Sequence, residues 1–203
     1  MKITLTTAQA VALAKGIAPA ISKEKYHLQS VQIITTGEYT TFTATDGYRL
    51  HRITAPVVSS SCDSFTVTGS ELVSALLAAA KDIGKADRDI VIEYDLDGVV
   101  EITGGGLSKF ITETDIEFPA CASILDMGGE TESGACYDTV YLAEIVTAAG
   151  HISGKNRVGR KYLDDGQLVK IENIHPKKPM HVTAQSVATG MQFHGVLMPR
   201  RAS

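Results

Sequence analysis

Residues 28–50 read LQSVQIITTGEYTTFTATDGYRL. The runs SVQIITT (30–36) and YTTFTATD (39–46) are rich in β-branched and aromatic residues that alternate with polar ones, the pattern of half-buried strands. Gly37-Glu38 separates them, a connection of hairpin length. Asp46-Gly47 then turns the chain into a third strand, YRLHRIT (48–54). Three strands joined by such short turns can only form an antiparallel meander.

The same order of elements recurs along the chain. Ahead of the meander, Thr6 or Thr7 caps a helix over about Thr7 to Ser22, with Val11, Leu13, Ala14 and Ile17 on one face. A second helix follows FTVTG, capped at Ser70, with Leu72, Val73, Leu76, Leu77 and Ala80 as its apolar face. After it come DIVIEYD, a turn at Leu96-Asp97-Gly98, GVVEITG and SKFITE. A third helix follows CYDTV, capped at Asp138 or Thr139, with Leu142, Ile145, Val146 and Ala149 inward. QLVKIENI, MHVTAQS and MQFHGVLM complete that copy. The pattern predicts an α+β protein of three βαβββ-like units. One helix on one half-sheet cannot close a core, so the units must lean on one another. PVVSSSCDS (56–64) joins units one and two, DMGGETESG (126–134) joins two and three, and KNRVGRK (155–161) is a basic loop.

Bulk properties narrow the function. A chain of 203 residues, 44% hydrophobic and 21% charged, supports a core without staples. Its formal charge of −4 and pI near 5.8 argue against a protein that simply coats nucleic acid, though a local basic stripe is compatible with them. Cys62, Cys121 and Cys136 are odd in number and lack metal-ligand spacing, which reads as free thiols in a reducing compartment. No stretch has the apolar length of a membrane span, and the N-terminus lacks signal-peptide order. The cytoplasm is the expected location.

Catalytic and cofactor motifs are missing. Gly104-Gly105-Gly106 lacks the lysine and helix of a phosphate loop and reads as a tight turn. The six histidines (27, 51, 151, 175, 181, 194) stand in no zinc-binding context. His181 and His194 can meet across adjacent strands, most simply as a surface pair. Asp164-Asp165 reads as solvated turn charges, and no nucleophile motif is present. The expectation is a binding protein with no cofactor, no metal and no enzymatic chemistry.

Thr45-Asp46-Gly47-Tyr48-Arg49-Leu50, with Leu28 at a fixed distance upstream, resembles the middle domain of the bacterial DNA sliding clamp, the β subunit of DNA polymerase III. Phe118-Pro119 resembles the dipeptide that closes that domain. TVYLAEIVTAAG resembles the second helix of the last domain, and Val196-Leu197-Met198-Pro199-Arg200 its terminus. The likeness implies a DNA-clamp fold with antiparallel sheets outside and helices inside. Residues 1–125 would form one two-unit clamp domain and 126–203 half of another. The family has three domains of two units each, so this chain would be a shortened clamp, of a kind a phage or mobile element could carry. Arg201-Ala202-Ser203 depart from the family's tail.

The resemblance also implies sites. An apolar cleft for short peptides would have Leu28, Leu50, Ile124, Val196 and Met198 as floor, and Pro119 and Pro199 as walls. Gly47 would leave space, and Thr45 and Arg49 would hydrogen-bond the peptide. Tyr48 and Ser123 complete the set. As a bare hairpin, TDGYRL would need none of this, but it co-occurs with the Met-Pro-Arg terminus. Phosphate contacts would come from Lys15, Lys23, Lys25, Lys81, Lys85, Arg88, Lys155, Arg157, Arg160 and Lys161, which equally suit helix C-termini. The implied partners are DNA polymerase and other proteins with clamp-binding motifs, duplex DNA regardless of sequence, a clamp loader, and further copies of the chain, since the third unit lacks a mate. The expected function is a processivity factor. Its rival is a regulator or decoy that binds clamp-binding peptides without encircling DNA.

Overall fold

The computed structural model describes residues 1–56, 64–84, 88–95, 97–126, 135–153, 157–158, 161–162, 169–172 and 174–200. Strand β1 (Lys2–Thr6) runs into helix α1 (Thr7–Ile17) through a capping box. The Gln9 N–H donates to Thr6 Oγ1, and the Gln9 side chain accepts from the Thr6 N–H at 2.8 Å. The helix stops at Ile17, short of Ser22, and a 3₁₀ turn over Ala18–Ala20 follows. Pro19 has no N–H to continue the ladder, which explains the early end. Strands β2 (Ser30–Thr36), β3 (Tyr39–Thr45) and β4 (Arg49–Pro56) form the expected meander.

The second unit has β5 (Ser64–Thr68), α2 (Gly69–Ile83), β6 (Asp89–Tyr94), β7 (Val99–Gly104) and β8 (Leu107–Thr112). The N-cap of α2 is Thr68 and not Ser70, because the Gly69 N–H bonds the Gln29 carbonyl at 2.8 Å and fixes the entry two residues earlier. Gly104 to Gly106 make the tight β7–β8 turn. A one-turn helix α3 (Ala122–Leu125) lies in the following segment.

The third unit departs most from expectation. Its helix α4 (Thr139–Ser153) is capped by Asp138, whose Oδ1 accepts from the N–H groups of Val140 and Tyr141 at 2.9 and 3.3 Å. The β-run expected before it is reduced to a single bridge between Cys136 and Arg200. A short hairpin, β9 (Arg157–Val158) with β10 (Lys161–Tyr162), precedes β11 (Lys170–Glu172), β12 (Met180–Gln185) and β13 (Gln192–Leu197).

Units one and two exchange strands. β1 pairs with β6, giving a four-stranded sheet β1-β6-β7-β8, while β5 pairs with β2. β13 pairs with β4, so a seven-stranded antiparallel sheet runs β11-β12-β13-β4-β3-β2-β5. The three helices lie side by side on these sheets, α1 between α2 and α4. The core between them holds Ile3, Leu5, Leu13, Ile17, Leu72, Leu76, Ile90, Ile92, Ile145 and Ala149, all buried. Gly16 allows α1 to approach β4: a Cβ there would stand 2.8 Å from Ile53 Cδ1. Val146 of the expected α4 face is exposed, as is Leu77 of α2, and both point away from the sheets.

His181 and His194 do meet, Nδ1 to Nε2 at 2.8 Å, but His181 is buried rather than on the surface. Cys121 is buried and Cys136 exposed, both free; Cys62 lies outside the described residues, as do Asp164 and Asp165. Among the described residues no helix is long and apolar enough to cross a membrane, and no three His, Cys, Asp or Glu side chains gather as a metal site.

His51 is fully buried beneath α1, and its Nδ1–H donates to the Gly16 carbonyl at 2.7 Å. Burial, against that bond and with the Arg49 charge, lowers its pKa from 6.5 to about 4. The unfolded chain therefore binds the proton more readily than the fold does. Stability from this group is intact above about pH 6.5 and is lost as pH falls toward 4, by about 3 kcal/mol in all. Urea midpoints at pH 7 and pH 4.5 should show a smaller acid loss in His51→Gln than in the parent. Equal losses would place the acid sensitivity elsewhere.

Candidate functional site

The turn between β3 and β4 is built by its own side chains. Asp46 Oδ1 accepts from the N–H groups of Tyr48 and Arg49 at 2.9 and 3.0 Å. Thr45 Oγ1 donates to the Arg49 carbonyl at 2.7 Å and accepts from the Gly47 N–H at 3.1 Å. Gly47 has φ +89°, a conformation L side chains avoid, and a Cβ there would contact Leu28 Cδ1 at 3.4 Å. The Asp-Gly pair thus forms the turn and lets Leu28 pack beneath it.

The chain terminus comes to this turn through the β13–β4 ladder. Val196 stands directly opposite Leu50, and the Met198 N–H donates to the Tyr48 carbonyl at 3.0 Å. Leu50 and Val196 point away from the helices. Phe118, Cys121 and Leu125, from the segment around α3, close over them as a second small core, with Ile124 packed at its margin. Burial raises the Cys121 pKa and keeps the thiol protonated, so it serves as packing rather than as a nucleophile.

Third-unit side chains complete the site. Arg49 is 8% exposed; its Nε pairs with Asp46 Oδ2 at 3.0 Å and its Nη1 with Glu144 of α4. Its guanidinium also lies 4.5 Å from the centre of the Tyr141 ring, which stacks on Tyr48 at 5.8 Å. Lys25 Nζ sits 4.8 Å over the other ring of that stack. Cations and aromatics alternate along this seam. A groove of about 540 Å³ opens beside it, lined among others by Pro19, Lys23, Lys25, Tyr48 and Tyr141. Arg200 pairs with Asp138 at 3.0 Å and ties the terminus to the α4 cap.

The twelve cleft residues are therefore distributed unevenly. Leu28, Leu50 and Val196 are buried, Pro119, Ile124 and Pro199 half-buried, and Met198, Tyr48 and Ser123 exposed. Thr45 and Arg49 are engaged in the hydrogen bonds and ion pairs of the turn and the seam. Sequence reasoning missed Tyr141, Glu144, Cys121 and Leu125, and read Phe118 only as part of the Phe118-Pro119 dipeptide, not as a cover residue. The three cover residues recur at spacings of three and four, a signal that was present in the sequence. Of the ten candidate phosphate contacts, Lys15 and Lys81 are exposed in the last turns of α1 and α2, and Arg88 is exposed nearby. Lys23 and Lys25 stand at the groove instead. Arg157 and Lys161 fall in the β9–β10 hairpin; Lys85, Lys155 and Arg160 lie outside the described residues.

No protein-family model and no curated protein matches the sequence. Solved structures do match. The DNA polymerase III β subunit of Thermotoga maritima aligns with a TM-score of 0.72 and 11% identity, over 100% of this chain and 66% of that one. The corresponding chain of Streptococcus pneumoniae gives 0.66 and 13%, over 100% and 65%. PCNA of A. fulgidus, in complex with the C-terminal region of FEN-1, gives 0.67 and 9%, over 100% and 99%. The protein has the α+β DNA-clamp fold, and it spans about two thirds of the length of these bacterial clamps.

The seam has a measurable consequence. Arg49→Gln would leave Asp46, itself largely buried, without its cation. It should lower unfolding free energy by about 1–3 kcal/mol, since one partner of a poorly solvated pair is removed. Glu144→Gln should cost about 1 kcal/mol or less, because Glu144 is 44% exposed and screened. Equal effects of the two changes would contradict this ranking.

Proposed function

We propose that the chain is a sliding-clamp-like processivity factor. Its cleft captures clamp-binding peptide motifs of DNA polymerase and related proteins, and copies of the chain tether that partner to DNA without chemistry of their own. The observation that carries the reading is the convergence of TDGYRL with the VLMPR terminus. Within a clamp fold, Leu50 and Val196, far apart in sequence, meet on paired strands, with Leu28, Leu50 and Val196 beneath exposed Tyr48 and Met198. A deformable Met beside an aromatic ring suits an apolar anchor from several different partners. The PCNA structure in complex with a C-terminal protein region is a precedent on the same fold.

Tethering calls for more than one chain. Among the described residues β8 and β11 each pair on one side only, apart from a bridge of Glu113, just past β8, to Val67 of β5, so each offers an open edge. β11 is three residues long and carries Lys170 and Glu172, a typical guarded edge. β8 is six residues long and presents Phe110 at 66% exposure, which makes it the better edge for another copy.

A fluorescent peptide carrying a polymerase-type clamp-binding motif should bind with about micromolar affinity. Met198→Ala and Tyr48→Ala should each weaken it by about 1–3 kcal/mol, with the fold intact. These are better probes than Leu50→Ala, whose side chain is part of the second core. No binding at high peptide concentration would rule out the cleft.

Duplex DNA should bind weakly, without sequence preference, and release as salt is raised. Charge reversal at Lys81, Lys85 and Arg88 together should reduce it, and light scattering should give a mass above one chain. A strictly monomeric protein that binds the peptide but not DNA would replace tethering with competition for peptides.

A further inference from the structure

On the side of the seven-stranded sheet away from the helices, the strand registers set up a straight cross-strand row. Arg52 on β4 is opposite His194 on β13, His194 is opposite Thr183 on β12, and Thr183 is opposite Lys170 on β11. Two cations and an imidazole thus share one line about three strand spacings, or ~14 Å, long. The row forms part of the lining of a groove of about 430 Å³, and Gln185 and Gln192 line its flank.

The charges in the row are not equally matched. Lys170 pairs with Glu172 at 2.6 Å. The Arg52 Nε donates to Thr43 Oγ1 at a long 3.3 Å, and among the described residues no carboxylate pairs with its guanidinium. Burial lowers its pKa, and of its charged surroundings only Cys121 and Asp126 favour the cation. A half-buried cation in a concave polar groove, placed directly opposite an imidazole, is electrostatically incomplete. Asp126 acts on it without forming an ion pair, so among the described residues what the guanidinium lacks is a carboxylate in direct contact.

The geometry points to a second binding site, separate from the apolar cleft, that takes an acidic peptide segment with its carboxylate between Arg52 and His194. One cation with no ion pair among the described residues, and Asp126 already nearby, matches one carboxylate better than a dianionic phosphate. Gln185, Gln192 and Thr183 offer donors and acceptors for peptide amides. Phe193 is 1% exposed, so it offers the groove no face on which a nucleotide base could stack.

Proton linkage follows from the neighbours of His194. Its pKa is lowered by burial first, then by His181 and Arg52, while Glu172 and Asp126 act the other way. A carboxylate seated beside it would raise that pKa, so binding takes up a proton and tightens as pH falls.

The test uses the full chain and an acetylated, amidated pentapeptide Gly-Ser-Glu-Ser-Gly, with the Gln version and inorganic phosphate as parallel ligands. Binding is read from the ¹⁵N signals of the Arg52 Nε–H and the His194 ring. The Glu peptide should move both signals with roughly millimolar affinity. The Gln peptide should bind at least about tenfold more weakly. Arg52→Gln should cost a similar factor while leaving cleft-peptide binding unchanged. His194→Gln should retain binding and abolish its strengthening as pH falls from about 7 toward about 5, below the usual histidine range, which also serves if Arg52→Gln does not fold. Equal binding of the Glu and Gln peptides, no movement of Arg52 and His194, or phosphate binding tighter than the Glu peptide would each overturn the assignment.

Discussion

The register of β13 against β4 is the constraint on which everything else rests. It runs from Gln192 opposite Thr54 to Leu197 opposite Arg49. Side chains alternate across a strand, so a slip of one residue would invert both faces. Val196 would leave Leu50 and turn into the helix layer, and His194 would leave Arg52. Phe193, which packs edge-on against the His51 ring at 5.1 Å, would move out to solvent. The apolar face fixes the register: Phe193 and Leu197 must be buried beside Ile145, and the outward residues follow. The cleft floor and the cation row are thus two consequences of one packing decision.

The seam converts that ladder into a defined orientation. A backbone ladder alone leaves a sheet free to twist about its strands. Arg49 adds a contact outside the sheet plane by joining the β3–β4 turn to Glu144 on α4. Asp46 serves the same arginine and two backbone N–H groups, so the turn and the seam form one network. Buried charge is costly, and its value here lies in specifying geometry more than in stabilising it. Tyr48 is held between this network and the Met198 N–H, which sets the mouth of the proposed cleft.

Local patterns were legible in the sequence, and distant pairings were not. SVQIITT became β2 residue for residue, and the two turns fell at Gly37-Glu38 and Asp46-Gly47. The α1 and α4 caps were readable because capping is settled within four residues. The end of α1 was misread although Pro19 marks it, and the cap of α2 was misplaced because Gln29, forty residues upstream, holds Gly69. The exchange of β1 and β5 between units leaves no local trace, since either partner strand has the same alternating pattern. The pairing of Arg49 with Glu144 could not be read because the two lie 95 positions apart. A charged residue in a hairpin has no visible mate until the fold supplies one.

Charge on the helix layer bears on how such a protein would hold DNA. The exposed positions of α1 include Ala8 and Lys15, and those of α2 include Glu71, Leu77, Lys81 and Asp82. Those of α4 are Thr139, Val140, Ala143, Val146 and Thr147, and the charge beside them is Glu144, whose side chain is 44% exposed and paired with Arg49. One lysine on each of two helices, partly offset by carboxylates, gives few phosphate contacts per chain, and affinity rises with the number of such contacts. A single copy would therefore hold a duplex poorly. Several copies around one duplex would add their contacts without making any of them tight, and the partner would stay attached through effective concentration rather than local affinity. Weak, sequence-blind contacts also leave the duplex free to move, which strong cationic helices would oppose. On this argument the sparse charge of the helix layer does not count against tethering, but it places the whole burden on assembly.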